Sequence, residues 1–115
     1  MEIEVAVEKL LKLSPSVRVV IVCDLNGKLV YSARSKKVNI LVSKKQSLAS
    51  LKAAAYDWKQ RKKLLKSLGA CKYVVAEYDK VKRIVIPAGK NHILYVTTMA
   101  SLDHNKVVRK VRSFK

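Results

Sequence analysis

Glycine, proline and cysteine are all scarce in this 115-residue chain, with three, two and two of each. The glycines, Gly27, Gly69 and Gly89, stand far apart. That spacing excludes a phosphate-cradling P-loop and a GxGxxG turn, both of which need several glycines in one short loop. HExxH and GxSxG are absent as well. Cys23 and Cys71 lie in separate apolar runs. Two cysteines are too few for a disulfide framework and their spacing fits no zinc pattern, so both read as buried free thiols in a reducing compartment. His92 and His104 are isolated, without the spacing of a metal site. No catalytic residue, metal or cofactor is expected, and the chain does not read as an enzyme. No apolar run approaches the roughly 20 residues of a membrane span. The acidic, amphipathic start MEIEVAVEKLLKL has the marks of neither a signal nor a transit peptide, so a cytoplasmic protein is expected.

Acidic residues are the other shortage. Eight Asp and Glu face 25 Lys and Arg, for a net charge of +17. Three of those acids fall in the first eight residues, so the remainder is more basic still. Such a balance bears on partners: nucleic acid, an acidic protein, an anionic membrane, or simple solubility. Half the residues are hydrophobic, enough for a core and too many for a disordered chain. At this length a single domain over 1–115 is expected.

The longest helical signal runs over 47–68, with Ser47 as expected N-cap and Gly69 as C-cap. At about 100° per residue Leu51, Ala54, Trp58, Leu65 and Leu68 share one side. Lys52, Lys59, Lys63 and Lys66 fall within about 60° of one another on a different face. Arg61 projects from the apolar side, either at a rim or at a protein contact. Asp57 has Arg61 at i+4 and is expected to pair with it.

Before this helix the pattern predicts a helix over 2–13, a β-branched strand over 17–23, a turn at Asp24-Leu25-Asn26-Gly27 and a returning strand over 28–32. Asn-Gly is a strong hairpin signal, and a turn aspartate bonding its own backbone is the better reading of Asp24. A second apolar run, 38–42, reads as a short strand or packed loop. After Gly69 come strands over 71–78, 81–86 and 92–98 with short connections, hence an antiparallel meander. Asp103 is the expected N-cap of a last helix reaching 114, with a Val107, Val111 and Phe114 stripe. The fold class is therefore α+β: an antiparallel sheet of about five strands, a long central helix, and a helix at each end.

This order, with VRVVIVCDLNGKLVYS near the front, resembles the roadblock family, the dynein light-chain roadblock class, whose members have a profilin-like or longin-like fold. The leading helix, the strand–D-x-x-G–strand hairpin, the Ala/Leu-rich long helix and the final strand trio carry the resemblance. It implies a non-catalytic homodimer or heterodimer that serves as scaffold or regulator for a Ras-like small GTPase or a larger assembly. It also implies a dimer surface on the long helix and the strand after it: Trp58, Arg61, Leu65, Leu68, Tyr73 and Val75. Physical reasoning points the same way, because Trp, Tyr and Arg are enriched at interface cores and an open Val/Tyr edge needs covering. A place for Trp58 in the chain's own core is the alternative.

A different class of function stays open. Arg34, Lys36, Lys37, Lys44 and Lys45, the helical row Lys52, Lys59, Lys63 and Lys66, and Lys106, Arg109, Lys110 and Arg112 are candidate phosphate contacts for ribosomal RNA or chromatin. Tyr31 and Tyr56 are candidate stacking residues. One continuous basic face across the long and last helices would favour nucleic acid; scattered rows would mean generic charge. Association of the last helix with an anionic membrane is a third, weaker reading.

Overall fold

A computed structural model describes residues 2–36, 41 and 43–114. Inside its sheet runs β1, Val17–Asp24, with the sequence VRVVIVCD and a buried run from Val20 to Cys23. A run buried on both faces belongs inside a sheet, and that is where it lies. The other strands are β2 (Leu29–Arg34), β3 (Val74–Glu77), β4 (Val81–Ala88) and β5 (His92–Met99). They form one sheet in the order β2-β1-β5-β4-β3, antiparallel at every pairing. The hairpin and the meander are both present as the turn signals predict. The short strand or packed loop expected at 38–42 lies, apart from exposed Leu41, outside the described residues.

Alternation along the strands sets the two faces. On one, Val20 and Val22 of β1, Leu94 and Val96 of β5, and Ile84 and Ile86 of β4 are buried. Against them pack Val7 and Leu10 of α1 (Ile3–Leu11) and Val107, Val108 and Val111 of α4 (His104–Arg112). The opposite face carries Ile21, Cys23, Ile93 and Tyr95, covered by Leu51, Ala55 and Trp58 of α2 (Lys44–Lys62). Helices thus cover both faces of one sheet.

The long helix differs from its sequence-based expectation at both ends. It starts at Lys44, not after Ser47, because Ser43 and Gln46 form a capping box. The Gln46 amide donates to Ser43 Oγ at 3.1 Å, and the Ser43 amide donates to Gln46 Oε1 at 2.9 Å. Two orphan amides satisfied reciprocally outweigh a lone serine further on. At the other end α2 stops at Lys62, and its last turn tightens through bonds from the Lys63 amide to Gln60 O and the Leu64 amide to Arg61 O. A separate turn, α3 (Leu65–Leu68), follows and closes at Gly69, whose φ of +81° suits glycine. The buried stripe therefore ends at Trp58. Leu65 and Leu68, expected on that stripe, are 55% and 77% exposed.

Candidate functional site

The six residues expected at a dimer surface separate into three groups. Trp58 is 4% exposed and packs with Cys23, Ala55 and Ile93. Its ring lies in the chain's own core, the alternative open at the sequence level. Leu65 and Leu68 of α3 stand in solvent beside exposed Leu64, and Arg61 is half-buried at the end of α2. Tyr73 and Val75 pack toward the α1 and α4 face, with the Tyr73 ring 5.9 Å from His104. Their side chains therefore point away from the face that α2 covers. The backbone of β3, at the end of the sheet order, remains an open edge.

The basic residues do not form one track. Lys52, Lys59, Lys63 and Lys66 are exposed on the α2–α3 side, and Lys106, Arg109 and Arg112 are exposed on α4 across the sheet. Lys110 is half-buried. Lys59 donates to the Asn26 side chain, and Lys63 donates to Gln60 Oε1 at 3.3 Å. Arg34, Lys36, Lys44 and Lys45 are exposed at a third location, where β2 ends and α2 begins; Lys37 lies outside the described residues. Tyr31 is half-buried against the α1 and α4 core, whereas Tyr56 is 63% exposed. By the criterion of one continuous face, this is scattered charge. The expected Asp57–Arg61 pair does not form: among the described residues the ion pair within 4.0 Å is Lys82 with Glu77, at 3.7 Å.

Two carboxylates, Asp24 and Asp103, bond to nearby backbone amides. Asp24 Oδ1 accepts from the Asn26 amide at 2.8 Å and the Lys28 amide at 2.9 Å. These amides, Lys28 first, hold the Asp24 carboxyl below its usual range. Asp103 accepts from the Asn105 amide at 2.9 Å and is lowered by it, as an N-cap is. Burial, and then the Asp24 charge, push the Cys23 thiol up, so it is a poor nucleophile. Among the described residues no three His, Cys, Asp or Glu side chains group as metal ligands. No described helix is long and apolar enough to cross a membrane.

One feature absent from the sequence-based expectations is a cleft of about 780 Å³ between the first half of α2 and the sheet. Arg83 of β4 lies in its wall. Its guanidinium stands 5.7 Å from the Tyr78 ring and 5.8 Å from the Tyr95 ring, and donates to Ser50 Oγ at 2.9 Å. Ser50 in turn shares a 2.8 Å hydrogen bond with the Tyr95 hydroxyl. The signal that marks this site is the period of β4: Val81, Arg83 and Val85 share one face of the strand, and Ile84 and Ile86 occupy the other.

No family model and no curated protein matches this chain. Solved structures do. The gliding protein MglB from Thermus thermophilus superposes with a TM-score of 0.78 at 14% identity, covering 96% of this chain and 80% of that one. A roadblock/LC7 domain from Streptomyces avermitilis gives 0.75 at 13%, covering 98% and 91%. An MglB structure described as having a tetrameric arrangement gives 0.79 at 13%, covering 96% and 79%. At these identities the likeness is carried by the path of the backbone, and it shows that this chain has the roadblock/LC7 fold.

Proposed function

We propose that this chain is a non-catalytic dimeric scaffold or regulator, acting in the cytoplasm with a Ras-like small GTPase or a larger assembly. The observation that carries the reading is the exposure of Leu64, Leu65 and Leu68 at 47%, 55% and 77%. Three leucines in water within five positions, just before an open edge strand, make a surface that a second copy would cover. The interface in this reading comprises Arg61, Leu65 and Leu68, with Val75 contributing through the β3 edge and Tyr73 through the backbone that leads into it, not through side chains on the α2 face. The roadblock/LC7 fold supports the regulatory role, and the tetrameric arrangement described for one MglB structure supports self-association. Positive charge around the domain would speed encounter with an acidic partner without fixing the contact.

Two measurements test the reading together. Sedimentation of the purified chain reports the dimer, and titration against a panel of small GTPases in both nucleotide states reports the partner. Binding to one nucleotide state by the dimer is the expected result. A monomer that binds neither state overturns the proposal.

A further inference from the structure

From the cleft at the start of α2 we infer a binding site for a single-chain amphiphilic anion, whose carboxylate or phosphate head pairs with Arg83 and whose tail lies along Leu29 and Leu48. The cleft lies at the opposite end of α2 from Leu65 and Leu68, and its wall at Tyr78 and Lys80 adjoins the end of β3.

Three observations converge. The first is Arg83 itself. Its guanidinium is oriented by two tyrosine rings and Ser50, yet Nε is buried without a hydrogen-bond partner. Among the described residues no carboxylate lies within 4.0 Å of it. A positioned guanidinium with donors to spare is a receptor for a planar or tetrahedral anion. The second is the charge of the walls. Arg18, Arg34, Lys44 and Lys80 line the same cleft, and Asp79 is the one carboxylate among the described lining residues. Lys44 begins a 19-residue helix with no acid in its first turn, so the positive end of the helix dipole adds to the field instead of being offset. The third is apolar. Leu29 and Leu48 line the cleft and are 47% and 41% exposed, while Ile21 and Leu51 lie deeper and are buried. A volume of about 780 Å³ falls in the range of small-ligand sites, which combine apolar walls with a few convergent polar groups. A simple inorganic anion would leave those leucines wet, and a neutral lipid would leave the guanidinium unpaired.

The test titrates the full chain with decanoate, decyl phosphate, decanol and decyltrimethylammonium, each below its micelle concentration, in about 150 mM salt to screen loose surface attraction. Calorimetry gives stoichiometry, and amide NMR shifts give location. One-to-one binding of decanoate or decyl phosphate is expected, with shifts centred on Ser50, Arg83 and Tyr95. Tighter binding of decanoate assigns a carboxylate head; tighter binding of decyl phosphate assigns a phosphate. Arg83→Met and, at a site exposed enough to spare the fold, Leu48→Glu should each weaken binding about tenfold or more. Lys106→Met, on α4 across the sheet, should leave it unchanged. Binding without one-to-one saturation, equal loss in Lys106→Met, or equal affinity for decanol overturns the proposal.

Discussion

Gly27, in the β1–β2 turn, sits directly against Lys52 of α2: a Cβ on the glycine would come within 2.9 Å of the Lys52 Cα. Its φ is +82°, so the turn and the helix approach both require glycine there. The neighbouring Asn26 receives a hydrogen bond from Lys59, further along the helix. Together these contacts fix α2 over the hairpin, and hence fix where its two ends, the leucine surface and the cleft, are presented.

Gly27→Ala should therefore destabilise the chain by about 2–3 kcal/mol, combining left-handed strain with displacement of the helix backbone. Gly89 is the control. Its φ is +73° but nothing lies within 4 Å of an added Cβ, so Gly89→Ala should cost about 1 kcal/mol. Urea denaturation of both variants checks the difference.

Asp24 links the hairpin to acid stability. Its folded carboxyl titrates below the unfolded value of about 3.9. The stabilisation is thus present above that pH and is lost as pH falls through the folded value. Asp24→Asn should flatten the acid limb of the stability curve relative to the unmodified chain. An NMR titration of the Asp24 carboxyl reads the same shift directly.

Ser43→Ala should cost about 1 kcal/mol, since it removes one arm of the capping box. Ser47→Ala, now placed in the first turns of the helix, should change stability by less than about 0.5 kcal/mol. Thermal melts of the two variants distinguish the observed start of α2 from the one its sequence first suggests.

Trp58→Ala should unfold or strongly destabilise the chain, by about 3–5 kcal/mol, because the indole is a core side chain. Leu68→Glu should leave the stability of the single subunit nearly unchanged while altering its association. Denaturation followed by mass measurement separates the two effects.

The element order, the hairpin, the meander and the last helix's cap were legible because each rests on local signals: β-branched runs, Asn-Gly, and Asp103 at an N-cap. What was not legible depends on distance or phase. Ser43 competes with Ser47 only once Gln46 reaches back to it. Leu65 and Leu68 fall on the Trp58 side only if the helix continues, and the tight turn at Lys63–Leu64 ends that phase. Tyr73 and Val75 look like edge residues in sequence, yet strand alternation turns them toward α4. Gly27 announces a turn but not the helix behind it, and Arg83 needs Ser50, Tyr78 and Tyr95 brought together from separate parts of the chain.

Self-association through the exposed leucines is the central claim, and sedimentation equilibrium on the unmodified chain and on the Leu65→Glu, Leu68→Glu double variant tests it most directly. The chain has a mass of 13.0 kDa. A dimer for the unmodified chain, and a folded monomer by circular dichroism for the variant, is the predicted result. An unmodified chain that sediments as a monomer, or a variant that keeps the dimer mass, would contradict it.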